Sequence, residues 1–214
     1  GYEPLRFVGS ADRHTPVEQI AEQMRRAIGF DLDVRQECPT WTDALRRFIH
    51  DADNMGVMIM VSGVVGSNNR RKLNTEEFRG FALSDQHAPL VFINGADTKA
   101  AQMFTLAHEL AHIWIAESGL SDASPLSQPS QQIEVWCNEV AAEFLVPLSL
   151  LRSEISRTHP LDDVNRLARR FKVSTLVILH RIFNSQIINW ETFQQAYQEE
   201  VARLRSIPKG SGGN

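Results

Sequence analysis

Thr105-Leu106-Ala107-His108-Glu109-Leu110-Ala111-His112 is the stretch whose reading decides the fold of this chain. The apolar residues around it include Met103, Phe104, Ile113, Trp114 and Ile115. They leave the segment hydrophobic on nearly every side, which predicts a buried core helix from about Thr98 to Glu117. Asp97 is the expected N-cap and Gly119 the expected stop. On such a helix, two histidines four residues apart are separated by only about 40°. Both imidazoles can reach one metal ion, and Glu109 stays within the same third of the helix surface. That is the arrangement a zinc hydrolase needs: two neutral nitrogen ligands with a carboxylate beside the water to be activated.

A catalytic metal needs a third protein ligand. The candidates lie on a second predicted helix, Ile133 to Val146, which Pro147 ends. At roughly 100° per residue, Cys137, Val140, Ala141, Phe144 and Leu145 gather on one side and must face the core. Glu134 falls at the edge of that side, whereas Glu139 and Glu143 are expected to point to solvent. Glu134 is therefore the predicted third ligand. Asn138, four residues on, is the predicted partner that fixes a ligand histidine or the carboxylate. Cys137 reads as a small core residue rather than a soft ligand. His14, His50, His87, His159 and His180 have no motif around them and read as surface or structural histidines.

The rest of the chain frames this pair of helices. Residues 1–14 suggest a segment with little structure of its own. Thr15-Pro16-Val17-Glu18 predicts a helix start with a capping hydroxyl and an early proline, and Gly29 ends that helix. A second helix is expected from Thr40 to about Asp53. Val57 to Val61 predicts a buried strand, as do Phe78 to Leu83 and Leu90 to Ile93. Between them, Gly63 to Asn74 reads as a long loop whose basic cluster, Arg70, Arg71 and Lys72, is a solvated tip. Leu120 to Gln132, with four serines and two prolines, reads as a further loop. Downstream helices are expected over Leu148 to Arg157, Leu161 to Phe171, Thr175 to Phe183 and Trp190 to Leu204. Lys209 to Asn214 is a Gly/Ser tail.

Composition excludes several classes. The 214 residues suffice for one good-sized core, and 43% hydrophobic with 22% charged residues is ordinary for a water-soluble globular chain. A net charge of -4 argues against nucleic acid as the main partner. No apolar run approaches the roughly 20 residues of a membrane helix, so no membrane partner is expected. Only Cys38 and Cys137 are present, far apart, and no signal peptide opens the chain; a cytoplasmic setting is expected. Gly1 stands where Met opens an intact chain, which suggests a piece of something longer.

Taken together, Phe104 to His112, Glu134-Val-Trp-Cys-Asn-Glu-Val-Ala-Ala-Glu-Phe-Leu-Val-Pro147 and Leu167-Ala-Arg-Arg-Phe-Lys-Val-Ser174 resemble the ImmA/IrrE family of bacterial metallopeptidases. Arg79-Gly-Phe-Ala-Leu83 and Ala88 to Gly95 are similar to members that carry an N-terminal helix-turn-helix domain. The resemblance covers roughly residues 57 to 183. It departs from the family only where Phe144-Leu-Val-Pro147 replaces the usual Leu-Leu-Met-Pro. By position it implies His108, His112 and Glu134 as ligands of Zn²⁺, with Mn²⁺ an alternative, and Glu109 as general base. It also implies a protein substrate, a helix-turn-helix transcriptional repressor or antitoxin whose cleavage releases stress or mobile-element genes. DNA enters only through an upstream domain or through that substrate.

The expected fold is α+β: mainly helical, with a small, about three-stranded twisted sheet packed on a zincin active-site helix. Four parts are expected: an N-terminal helical segment (1–56), a metallopeptidase core (57–158), a helix-turn-helix-like C-terminal subdomain (159–206) and a flexible tail (207–214). An extended substrate is expected to add as a strand to Leu90–Ile93 or Phe78–Leu83. The competing reading is a DNA- or protein-binding regulator without proteolytic activity. Its recognition helix, Thr175 to Phe183, offers only His180 and Arg181 as long polar readers, where a groove-reading helix needs several.

Overall fold

Three helices lead into the sheet: α1 (Val17–Ile28), α2 (Leu32–Gln36) and α3 (Trp41–Asn54). The computed structural model describes residues 3–65, 68–116, 119–120 and 128–207. α3 begins where the sequence signals it. The Thr40 hydroxyl accepts from the Asp43 N–H and the Asp43 carboxylate accepts from the Thr40 N–H, a reciprocal capping box. α1 begins differently from expectation. Pro16 itself holds the cap position without a side-chain bond, and the Thr15 hydroxyl accepts from the Asp12 N–H instead. The five-residue α2 is too short to leave a periodic signal. It is capped by Asp31, whose carboxylate accepts from the Val34 N–H.

The sheet comprises β1 (Met58–Ser62), β4 (Gly80–Leu83), β5 (Leu90–Asn94) and the two-residue β6 (Gly119–Leu120), in the order β1-β5-β4-β6. β1 runs parallel to β5, and β4 runs antiparallel to both β5 and β6. Ala82, Val91 and Ile93 bury one face of the sheet against α4 (Lys99–Ile115). Between β1 and β4 lies a small hairpin, β2 (Val64–Val65) with β3 (Asn68–Lys72). The sequence suggested a loop there, because Asn, Arg and Lys are poor strand formers and only pairing makes them one.

α4 is the centre of the molecule. Leu106, Ala107, Leu110, Ala111 and Ile113 are wholly buried, between the sheet on one side and α3 and α5 (Gln128–Leu145) on the other. Its cap is Thr98 rather than Asp97: the Thr98 hydroxyl accepts from the Ala101 N–H. At its other end Ala116 turns left-handed, before Gly119 is reached. The N-terminal segment is far from unstructured there. Gly9 and Ala11 donate backbone N–H bonds to the carbonyls of Ile113 and Trp114, and Phe7 stacks on Trp114 at 4.7 Å. These bonds satisfy carbonyls that a helix end leaves open.

α5 starts at Gln128, earlier than the expected Ile133, and the other part of the expected serine-rich loop, 121–127, lies outside the described residues. Beyond Pro147 follow α6 (Leu148–Glu154), a 3-10 turn (Pro160–Asp163), α7 (Val164–Phe171), α8 (Thr175–Asn184) and α9 (Trp190–Ser206). The expected tail also lies outside the described residues. Arg35 ties the N-terminal helices to this half. Its wholly buried guanidinium donates to the carbonyls of Leu145 (2.6 Å) and Phe171 (3.2 Å), the last residues of α5 and α7. Burial, helped by the Arg25 charge, pulls its pKa down to about 9. The fold is α+β and mainly helical, its small mixed sheet made of three strands and the short β6.

Candidate metal centre

His108 and His112 project from the same side of α4, with 6% and 2% of their surface exposed. Their Nε2 atoms lie 3.1 Å apart. Glu134, on α5, reaches across and meets both: one carboxylate oxygen is 3.1 Å from His108 Nε2, the other 3.1 Å from His112 Nε2. Two helices therefore deliver two imidazole nitrogens and a carboxylate to one point. Among the described residues this is the one group of three such side chains whose donor atoms gather closely enough to hold a metal ion.

The helix contact that makes this possible is ordinary core packing. Cys137, Val140, Ala141, Phe144 and Leu145 are wholly buried, as the helical period predicts. Phe144 also stacks on Phe48 at 5.3 Å. At the middle of α5, the Trp136 indole donates to the Thr15 carbonyl at 3.1 Å, so the N-terminal segment fixes both α4 and α5. Cys137 belongs to this core and stands outside the cluster.

The charge balance at the centre favours an anionic Glu134. Partial burial raises its pKa, but hydrogen bonding and positive charge at His108 and His112 outweigh that and bring it down to about 2. The Nδ1 atoms of both histidines are buried and have no hydrogen-bond partner among the described residues, so their Nε2 atoms are the ones presented to the centre. A tetrahedral ion with ligand bonds of about 2.0–2.2 Å requires donor atoms separated by roughly 3.3 Å. The observed separations of 3.1 Å match that spacing.

Glu109 is wholly buried and lines a cleft of about 200 Å³ together with His108, Glu134 and Asn138. The segment 75–79, ahead of β4, also walls the cleft, and Phe104 and Thr105 complete its lining. Of this wall the sequence singled out Phe78 and Arg79, as the start of an expected strand, but not 75–77, since a loop before a strand carries no periodic signal. A glycine at the head of β4 was the available hint, because glycine in a strand marks a close approach of backbone or ligand.

Asn138 lies in the cleft as an exposed residue, without a hydrogen bond to either histidine or to Glu134. Glu139 is exposed, as expected. Glu143 is not: it is 5% exposed and ion-paired with Arg181 of α8. It also accepts from the Leu148 N–H at 3.3 Å. The expectation of solvent fails because the Arg181 side chain of α8 reaches over and pairs with it. Arg181, one of the two supposed DNA readers, is thus consumed in the interior, where it also donates to the Val146 carbonyl at 2.9 Å. The other, His180, lays its ring against Phe193 and Tyr197 at 4.9 and 5.2 Å.

Comparison with known proteins adds the lineage. The profile of the peptidase M78 family, described as the IrrE N-terminal-like domain, matches residues 52–183. The radiation response metalloprotease IrrE of Deinococcus radiodurans is 32% identical over 111 residues, 49% of this chain and 34% of that protein. The chain therefore spans about a third of the length of this relative. A solved structure of a Mycobacterium tuberculosis transcriptional regulator has 18% identity and a TM-score of 0.45, over 78% of this chain and 46% of that one. That likeness is too loose to bear on the fold.

Proposed function

This chain belongs to the peptidase M78 family of IrrE N-terminal-like domains, and from that premise we propose that it is a metal-dependent endopeptidase acting on a protein substrate. The observation that carries the reading is the convergence of His108, His112 and Glu134 at mutual distances of 3.1 Å, with Glu109 lining the same cleft. In this reading the three converging side chains hold a divalent ion, Zn²⁺ in the first instance and Mn²⁺ as the alternative. The two nitrogens and one carboxylate suit zinc, and their number leaves a position for reactants. The chemistry such an ion supplies is acidification of water and polarisation of a carbonyl.

The protein's own groups do the rest. The Glu109 carboxylate, buried on α4 and open to the cleft, takes the proton of the attacking water and returns it to the leaving nitrogen. Its burial beside His108 keeps that proton from bulk solvent. The substrate chain reaches this point in extended form. β5 cannot receive it, since both its edges are occupied by β1 and β4. β4 is flanked by β5 and β6, but its pairing with β6 involves only Phe81 and Ala82, and Arg79 ahead of them lines the cleft, so the chain is proposed to run in at that end of β4.

The cleaved protein is proposed to be a helix-turn-helix transcriptional repressor or antitoxin. Support for it comes from the family resemblance and from a relative named for the radiation response. The cell compartment is proposed to be the cytoplasm. No helix among the described residues is long and apolar enough to cross a membrane, and both cysteines are buried. The test is a matched pair of proteins, wild type and Glu109→Gln, each loaded with zinc and incubated with labelled casein and with a repressor encoded beside the gene. Equal metal content with cleavage by the wild type alone is the expected result. Equal cleavage by both proteins removes Glu109 from the mechanism.

A further inference from the structure

Gly80, the first residue of β4, has no place in the mechanism above, and its backbone does not explain it. Among the described residues the glycines held in a left-handed φ are Gly9, Gly29 and Gly56, and Gly80 is not among them. What sets Gly80 apart is space. A Cβ built on it would lie 2.6 Å from Thr105 Cγ2, 2.9 Å from the Phe92 carbonyl oxygen and 3.1 Å from a Glu109 carboxylate oxygen. The first two are closer than a real Cβ comes, and the third is tighter than most such contacts, so the carboxylate would have to give by a few tenths of an ångström.

The three neighbours differ in how they can yield. The Phe92 carbonyl belongs to the paired strand β5, where Phe92 lies opposite Phe81. Moving it means moving the sheet. Thr105 is 7% exposed and β-branched, so on a helix its methyl has at most two χ1 positions to choose from. The Glu109 carboxylate, at the end of a longer side chain, is the softest of the three. A side chain at position 80 would therefore push either the sheet off α4 or the carboxylate off its place.

We propose that Gly80 is a positioning residue for Glu109: the missing side chain lets β4 lie directly against α4 and fixes where the carboxylate stands in the cleft. The catalytic consequence rests on the peptidase reading of the site. The packing itself does not, and the two can be tested apart.

The experiment compares Gly80→Ala in three backgrounds: wild type, Thr105→Ser, which deletes the methyl nearest the new carbon, and Glu109→Ala, which deletes the carboxylate. In the wild-type background the substitution lowers Tm by roughly 4–10 °C, as overpacking does, while bound zinc stays at wild-type stoichiometry. In the other two backgrounds the loss is clearly smaller, because groups in contact do not act additively. With labelled casein as the probe, kcat of Gly80→Ala falls by about 100-fold, the cost of a small misplacement at a reacting centre. KM stays within about twofold, and the added Thr105→Ser change restores part of kcat.

An equal Tm loss in all three backgrounds overturns the proposal, and so does wild-type kcat in Gly80→Ala. If Gly80→Ala does not fold, the triple variant Gly80→Ala/Thr105→Ser/Glu109→Ala is expected to recover folding; its failure to do so also overturns the proposal. If the coupling in Tm appears while the wild type cuts nothing, the contact between Gly80 and Glu109 stands and the peptidase reading falls.

Discussion

Glu134 of α5 and His112 of α4 meet with a carboxylate oxygen 3.1 Å from Nε2, and the same carboxylate places its second oxygen at 3.1 Å from His108. The carboxylate is therefore a bridge between two ring nitrogens before any other group is considered. Its own pKa of about 2 means that it remains anionic throughout the range in which proteins work.

Removing Glu134 should empty the site without unfolding the protein. The core of α4 is built from Leu106, Ala107, Leu110, Ala111 and Ile113, none of which depends on the ion. Glu134→Ala is expected to lose zinc affinity by more than the about 10–100-fold that a mere supporting hydrogen bond contributes. Its circular dichroism should stay native. Calorimetric zinc titration checks the first point and far-ultraviolet spectra the second; wild-type affinity would move the third ligand elsewhere.

The buried pair Glu143–Arg181 anchors the end of α5 to α8. Breaking it from one side leaves a charge in the interior, at a cost of about 3–5 kcal/mol. Glu143→Ala and Arg181→Ala should each lose stability on that scale in urea unfolding. A double replacement by apolar residues of similar volume should be much milder. Single variants within about 0.5 kcal/mol of wild type, the range of ordinary surface substitutions, would mean that the pair is not desolvated.

Asp163 links the segment after α6 to α7. Its carboxylate accepts from the Ser156 N–H at 2.7 Å and from the Arg166 guanidinium at 2.9 Å. The Ser156 bond above all, with Arg166 adding to it, holds its pKa below the usual value against the opposing effect of burial. A depressed carboxyl pKa contributes stability above the unfolded value and loses it as pH falls through the folded one. Asp163→Asn should thus melt roughly 2–4 °C below wild type at pH 7. The gap should close as pH falls below about 4, the ordinary aspartate range. A gap that is constant with pH would rule out the charge as its source.

Much of this architecture was legible in the residues themselves. His108, Glu109 and His112 declare a helix face by their spacing, and Glu134 follows from the apolar period Cys137, Val140, Ala141, Phe144 and Leu145. Glu143 shows where such reasoning stops. Whether a charge at the back of a helix meets water depends on what covers it, and its cover is Arg181, 38 residues further on. The β2–β3 hairpin was hidden for a related reason: the polar strand β3 forms only because it pairs with Val64 and Val65. The cleft wall at 75–77 is a loop whose position comes from the sheet it feeds, so no local pattern announces it. Gly80 was visible as a residue in the sequence, yet its meaning needs Thr105 and Glu109 beside it.

The most direct measurement is anomalous diffraction at the zinc absorption edge from crystals of the zinc-loaded protein. One anomalous peak should lie within about 2.0–2.2 Å of His108 Nε2, His112 Nε2 and a Glu134 oxygen, with Glu109 alongside it but not bound to it. A peak held by other residues, or none at full zinc loading, would contradict the metal centre on which this account depends.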